Sequence, residues 1–466
     1  MTTGMHDLAI IGGGSAAFSA AITASELGAR VAMVERAMLG GTCVNIGCIP
    51  SKALLRAGEH HRQAAHPRFR GIETAARSPD LAAMVAAKDE LVAAMRTDRY
   101  DDLVDVYGFE VIPGTARFTG PDEIEVDGRR LGADRYVIAT GAAAWVPPIE
   151  GLAGLDYLTS TSALDLEHVP SDVIVVGASA VGLELGQLFL DLGSEVTFLE
   201  ALPRIAPFEE PEISAALNAH LETLGARVVT GATITRADRA GPGSRLEAEI
   251  QGETIRLEAE TVLVATGRRA RTEGLDLAQA GVELDPKGQI RVDDTMATSN
   301  RSVYAAGDVT TLPHYVYVAA QSGRIAAENA QLRRGRRLDL SAVPRVTFTS
   351  PPIASVGLTE AEATATRREP VVSVLRLDVV PRALVDRDTT GLVKLVAEGG
   401  SGRLLGAHIL AEGAGDVIQA AVMGIRYGAT VDEIADTFHP YLTMAEALRL
   451  AAQGFARDVE HLSCCA

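Results

Sequence analysis

The chain has 466 residues, 47% of them hydrophobic and 45 of them glycine, which is too long for one ordinary core and too apolar for a disordered or fibrous chain. Its formal net charge is −18 and its 43 basic residues form no long run, so phosphate repulsion argues against nucleic acid as a partner. The short "RRGRR" at 333–337 reads as a solvated loop or helix face. No apolar segment reaches the roughly 18 residues of a membrane span, and "MTTGMHD" does not form a signal peptide. A soluble cytoplasmic protein with no membrane partner is expected. In that compartment closely spaced thiols point to redox or metal chemistry, and the chain holds four cysteines: Cys43, Cys48, Cys464 and Cys465.

The opening run "DLAIIGGGSAAFSAAITASELGARVAMVER" has the shape of a βαβ unit. A buried strand ends at Ile11, a glycine turn follows, then an alanine-rich helix and a second strand ending at Glu35. Gly12 permits the tight turn, Gly14 lets backbone approach a pyrophosphate at the helix N-terminus, and Ala17 keeps helix and strand close. Glu35, 23 positions after Gly12, is placed to accept hydrogen bonds from a ribose. The pattern returns in "DVIVVGASAVGLELGQLFLDLGSEVTFLE", where Gly177, Ser179 and Gly182 hold the three positions and Glu200 again follows the first glycine by 23. One such fingerprint is weak, because an ordinary tight strand-to-helix turn also gives it; two with matching strand, helix and acid spacing predict two dinucleotide sites. Ser179 replaces the usual second glycine, so a less close backbone approach is expected there.

Further along, "YVIATGAAAW" and "TVLVATGRRA" read as strands ending in Ala-Thr-Gly, as crossovers between nucleotide domains do. "SVYAAGDVT" ends a strand on Gly307-Asp308, where the aspartate suits a ribityl hydroxyl of a flavin. From "VPRVTFTSPPIASVGLTEAEA" the pattern alternates like antiparallel strands and then turns helical. The expected fold class is α/β. Residues 1–145 and 270–337 form a discontinuous FAD-binding domain, 146–269 an NAD(P)-binding domain, and 338–466 a C-terminal α+β interface domain ending in the Cys464-Cys465 tail.

Cys43 and Cys48 cannot be bridged across an undistorted helix, since five residues separate their Cα atoms by roughly 8.7 Å, beyond the about 7 Å a disulfide tolerates. Gly47 between them and Pro50 after them permit a local distortion. Lys52, four residues beyond Cys48, faces the same side of a following helix and can stabilise a thiolate or a reduced flavin. The bland readings are a zinc half-site or two buried thiols.

The segment "GGTCVNIGCIPSK" resembles the redox-active segment of the flavoprotein disulfide reductases, the family of lipoamide dehydrogenase, glutathione reductase and mercuric reductase. The resemblance extends over nearly the whole chain. It implies FAD and NADPH or NADH as cofactors, with Thr42, Thr140 and Gly141 joining the glycine loops and Asp308 in binding them. It implies that Cys48 touches the flavin, that Cys43 exchanges with substrate, and that Glu184 in "GLE" lies near the nicotinamide and pairs with Lys52.

Disulfide-reducing members carry a histidine base in a segment of the form H-P-T-x-x-E. Here the corresponding stretch is "FHPYLTMAEALRLAAQGF". Aligned on Thr443 and Glu446, it puts Tyr441 in the base position and leaves His439 upstream. A phenol with an ordinary pKa of about 10 is a poor base at neutral pH. That substitution, Tyr317 within "YVYVAA", and the closing "HLSCCA" together resemble the mercuric reductase branch. The resemblance implies reduction of Hg(II), a soft cation that prefers thiolates. It arrives as a small-thiol complex, passes by ligand exchange from Cys464 and Cys465 to Cys43 and Cys48, and is reduced there with electrons from a nicotinamide through FAD. The tail from 456 to 466, extended, reaches up to roughly 36 Å, far enough to serve the other subunit of a homodimer. The bland reading of the tail is a frayed end with two incidental thiols. Glu200 favours a free ribose hydroxyl, and the nearest arginine is Arg204, so either nicotinamide is expected to work. Branch members often carry an N-terminal metal-binding domain; this chain starts a few residues before its first strand, so that module is not expected. Two alternatives stand beside mercury reduction: a disulfide reductase of the lipoamide dehydrogenase type, and a non-enzymatic soft-metal binding protein.

Overall fold

A computed structural model describes residues 6–461. Contacts divide the chain into two compact units: residues up to 53 with 82–145 and 267–339, and residues 54–81 with 146–266 and those from 340 on. The Cys48–Ala65 helix begins in the first and belongs to the second from Leu54 onward.

In the first unit a five-stranded parallel sheet runs in the order Val303–Ala305, Ala133–Ile138, His6–Ile11, Val31–Glu35 and Glu110–Pro113. Leu8 and Ile10 pack into one core and Ala9 and Ile11 into another on the opposite face. Both faces of the sheet are therefore covered, which is why the central strand is a continuous apolar run. The helices Ser15–Glu26 and Val316–Leu332 cover the same side, with Ala16, Ala17, Ala20 and Ala24 letting them pack closely. The strands stop at Ile138 and Ala305, just short of their glycines, and Gly307–Val309 forms a 3-10 turn carrying Asp308.

The second unit holds a four-stranded parallel sheet in the order Arg227–Thr230, Glu195–Glu200, Asp172–Val176 and Thr261–Val264. It also holds a five-stranded antiparallel sheet, from Arg345–Thr347 through Ile353–Gly357, Leu404–Leu410 and Leu392–Glu398 to Pro370–Arg376. Helices Ala414–Tyr427 and Ala445–Gln453 bury their apolar residues against that sheet. Short strands Ala142–Ala144 and Arg268–Ala270 pair antiparallel, so the two Ala-Thr-Gly crossovers run side by side. In the basic "RRGRR" stretch Arg336 and Arg337 pair with Glu328 and Asp294.

Candidate active site

The first glycine loop is forced by backbone contact. Gly12 has φ +114°, and a Cβ there would collide with the Ala139 carbonyl. The Ser15–Glu26 helix starts with Gly14 as its N-cap and no side-chain cap, so its first amides are open to an anion. Glu35 spends one carboxylate oxygen on the Ala37 N–H at 2.8 Å and keeps the other without a partner among the described residues. Asp308 lies 3.9 Å from the Arg268 guanidinium, which also donates to the Ala142 carbonyl. Thr140 donates to the Arg271 carbonyl at 2.7 Å, and Gly141 has φ +68°. This set of open amides, close glycine approach and flanking acids fits a flavin dinucleotide.

The thiol segment is drawn onto the same loop. Gly40 N–H donates to the Gly13 carbonyl at 2.8 Å, and a Cβ on Gly41 would sit 2.7 Å from Gly14 Cα. Thr42 and Cys43 follow on the short helix Gly41–Ile46. At Gly47 the backbone leaves helical geometry, with φ −137° and ψ −109°, and a Cβ there would press 2.8 Å from the Thr42 carbonyl. A new helix then starts at Cys48. This kink brings the half-buried thiols, neither of them in a disulfide, within hydrogen-bond reach of each other. The hydrogen bond to Cys48, then burial, push the Cys43 thiol far above its ordinary value, while the Lys52 charge pulls it down. Cys43 therefore keeps its proton at neutral pH, and any negative charge on the pair is shared through that proton.

At the second fingerprint, Gly177 has φ +97° and a Cβ would stand 2.6 Å from the Ala265 carbonyl; a Cβ on Gly182 would overlap the Gly177 carbonyl. Ser179 is the N-cap of the Ala180–Leu192 helix without a side-chain cap bond, again leaving open amides. Glu200 is buried, and its two oxygens accept the Ala178 and Leu202 N–H groups at 2.8 and 2.9 Å. Arg204 is turned onto its own loop, donating to the Pro207 and Glu209 carbonyls. Glu184, 7% exposed, accepts the Phe348 N–H at 2.9 Å.

Tyr317 opens the Val316–Leu332 helix, half-exposed and stacked on Tyr315 with centroids 5.4 Å apart. Tyr441 is 48% exposed in the irregular stretch before the Ala445–Gln453 helix. Glu446 is buried in the first turn of that helix, with Oε2 unpartnered among the described residues. Cys464 and Cys465 lie outside the described residues.

The model of the pyridine nucleotide-disulphide oxidoreductases matches residues 6–323, and that of their dimerisation domain matches 343–452. The chain belongs to the pyridine nucleotide-disulphide oxidoreductases. It is 49% identical to a mercuric reductase of Bacillus cereus over 99% of this chain and 73% of that protein. To a mercuric reductase of Streptomyces lividans it is also 49% identical, over 99% of this chain and 98% of the other. Among solved structures it resembles the HOCl-induced flavoprotein disulfide reductase RclA from Escherichia coli. That match has a TM-score of 0.85 at 29% identity and covers 95% of this chain and 98% of that one.

For a member of this oxidoreductase family, the site contains one residue that sequence patterns miss. Tyr100 hydrogen-bonds with Ser15 and packs edge-on against Phe18 at 4.8 Å. Burial raises its phenol pKa, the Ser15 bond opposes that, and the nearby Cys43 and Cys48 add to the rise. It stands on a π-helical turn, Thr97–Asp101, a local widening that leaves no mark in hydrophobic periodicity. Ser15 and Tyr100 also line a cavity of about 390 Å³ with Ile22, Arg99 and Val316.

Proposed function

We propose that this chain is a mercury(II) reductase, reducing Hg(II) to Hg(0) with NADPH or NADH through FAD and the Cys43–Cys48 pair, for mercury detoxification. The full-length likeness to mercuric reductases supports it. The observation that carries it is the Gly47 kink, which sets two unbridged thiols together beside the first glycine loop.

Bound FAD supplies a carrier that takes a hydride from reduced nicotinamide and hands two electrons to sulfur. The open helix N-termini at Ser15 and Ala180 bind the two dinucleotides. Cys43 and Cys48 take Hg(II) as a dithiolate once the shared proton has left, and hold it while it gains two electrons. Hg(0) has little affinity for thiolates and departs. Lys52 offsets the pair's negative charge, and pairs with Glu184 beside the nicotinamide. Tyr317 and Tyr441 flank the metal instead of a proton-donating histidine. Cys464 and Cys465 receive Hg(II) from small-thiol complexes in the cytoplasm and pass it on. The dimerisation domain makes the protein a homodimer, in which tail and Tyr441 serve the other subunit's thiol pair. Residues 1–145 with 270–337 bind FAD, 146–269 bind the nicotinamide, and 338–466 form the interface.

One observation favours the disulfide reductase reading. His439 is half-buried, and its Nδ1 faces the Thr437 carbonyl at 3.0 Å, so Nδ1 and not Nε2 is taken up by the backbone. Nicotinamide oxidation by the FAD-loaded protein separates the two. Turnover with Hg(II) in excess small thiol, and none with lipoamide or glutathione disulfide, is expected. Turnover with a disulfide and none with Hg(II) would place His439, and not Tyr441, in the catalytic role.

A further inference from the structure

The Ala180–Leu192 helix carries Glu184, Gln187 and Asp191 at helical spacing, so they lie along one stripe, and all three are buried. Each has a specific anchor. Glu184 holds the Phe348 N–H, as above. Gln187 clamps Ser350 from both sides, donating to its carbonyl and accepting from its N–H, both at 2.8 Å. Asp191 pairs with Arg62 at 2.8 Å, the two side chains being 4% and 11% exposed. Arg62 closes the circuit by donating to the Ser350 hydroxyl at 2.6 Å.

Arg62 stands on the Cys48–Ala65 helix, whose first residue is the inner thiol. That helix approaches the other closely: a Cβ on Gly58 would lie 2.9 Å from Leu188 Cδ1. Burying an ion pair is costly in desolvation, and such pairs are often kept for register and not for stability. We propose that Asp191, Arg62 and Gln187 are positioning residues that lock these two helices and the Phe348–Ser350 segment in one register, and so fix where Glu184 stands and the course of the helix that Cys48 begins. The inference rests on the reading that Cys48 and Glu184 act in the reaction.

The lock is pH-sensitive. Burial pushes the Asp191 carboxyl up to about 6, with the Arg62 charge opposing and Glu59 adding to the rise. Asp191 faces Arg62, Glu59 and His61 on the thiol helix, and His61 Nδ1 lies 2.8 Å from the Asp191 carbonyl. From the Pro211–Thr223 helix, His220 faces the Ser350 carbonyl at 2.9 Å, its pKa lowered by burial. The ion pair is charged near neutral pH and is lost as pH falls through the Asp191 value.

The test compares Asp191→Asn, Asp191→Glu and wild type as FAD-loaded enzyme, with two readouts. One is kcat and KM against pH; the other is the pH profile of Cys43 and Cys48 alkylation by iodoacetamide, which needs no turnover. Expected for Asp191→Asn is loss of the inflection near pH 6 from both profiles, with only the thiols' own titration left in the alkylation one, and a kcat at neutral pH down about tenfold or more with the nicotinamide KM little changed. Asp191→Glu restores most of it. An unchanged inflection near pH 6 in both profiles of Asp191→Asn overturns the proposal. If that variant fails to fold, Ser350→Ala removes one bond to Arg62 and must shift the same profiles in the same direction, and no shift is equally fatal. Cys48→Ser is run alongside. Its retaining turnover sinks the site reading itself, whereas its loss of turnover with an unmoved Asp191→Asn sinks only the positioning role.

Discussion

The Cys43 thiol holds its proton because Cys48 accepts a hydrogen bond from it and burial disfavours the anion. Mercury needs both sulfurs as thiolates, so uptake must displace that proton. Since the Cys43 pKa is raised, the proton is present across neutral pH, and apparent Hg(II) affinity of the inner pair must climb as pH rises. A Cys464→Ala/Cys465→Ala variant, reduced and titrated with Hg(II) in weak buffer, is expected to release at least one proton per metal near neutral pH. Proton-free uptake would mean the pair already carries two negative charges. Glu200 makes a different case. The fingerprint spacing reads it as a ribose acceptor, and its oxygens also accept the Ala178 amide of the glycine loop and the Leu202 amide of its own turn. Glu200→Ala is expected to cost about 1–3 kcal/mol in denaturant unfolding by orphaning those amides, whichever nicotinamide is bound. Spacing along the chain shows that an acid ends the strand; it carries nothing about which neighbours claim its oxygens. The Arg62–Asp191 pair was hidden for the same reason, because its members lie far apart in sequence and neither holds a fingerprint position.

At the scale of elements, the glycine loops were legible because they are steric necessities. A tight strand-to-helix turn with φ above +90° at Gly12 and Gly177 admits almost nothing else. The kink at Gly47 was also foreseeable, since two thiols five apart cannot approach on an ideal helix. What patterns could not give is the π-helical turn that carries Tyr100, whose residues look like any helix end. Gly182 offers a clean test at this level. Gly182→Ala drives a methyl into the Gly177 carbonyl and must push the Ala180–Leu192 helix off its strand. Its expected effect is a nicotinamide KM raised at least about tenfold with flavin content retained. Loss of flavin instead would mean that the second loop does not bind the nicotinamide.

For the whole molecule, the alternation from "VPRVTF" onward gave away antiparallel strands, but not the charged knot that ties them to the Pro211–Thr223 helix within the second unit. Lys394, fully buried on the Leu392–Glu398 strand, contacts Glu210, Glu212 and Glu360 at 2.8–3.0 Å. Burial pulls its pKa down, and the three carboxylates outweigh that and leave it raised. Glu212 and Glu360 reach water, whereas Glu210 is 2% exposed and has no such escape. Lys394→Met is expected to cost about 3–5 kcal/mol of unfolding free energy, and Glu210→Gln in the same chain to recover part of it. Equal stability of the single variant and wild type would show the knot to be dispensable.

The most direct measurement of the central claim is the elemental mercury released per nicotinamide oxidised by the FAD-loaded protein under Hg(II) in excess small thiol, compared with Cys48→Ser. Each nicotinamide delivers two electrons and each Hg(II) consumes two, so the prediction is one mercury atom vaporised per nicotinamide in wild type and none from the variant. Nicotinamide oxidised without mercury released, or mercury released equally by Cys48→Ser, would contradict reduction at the Cys43–Cys48 pair.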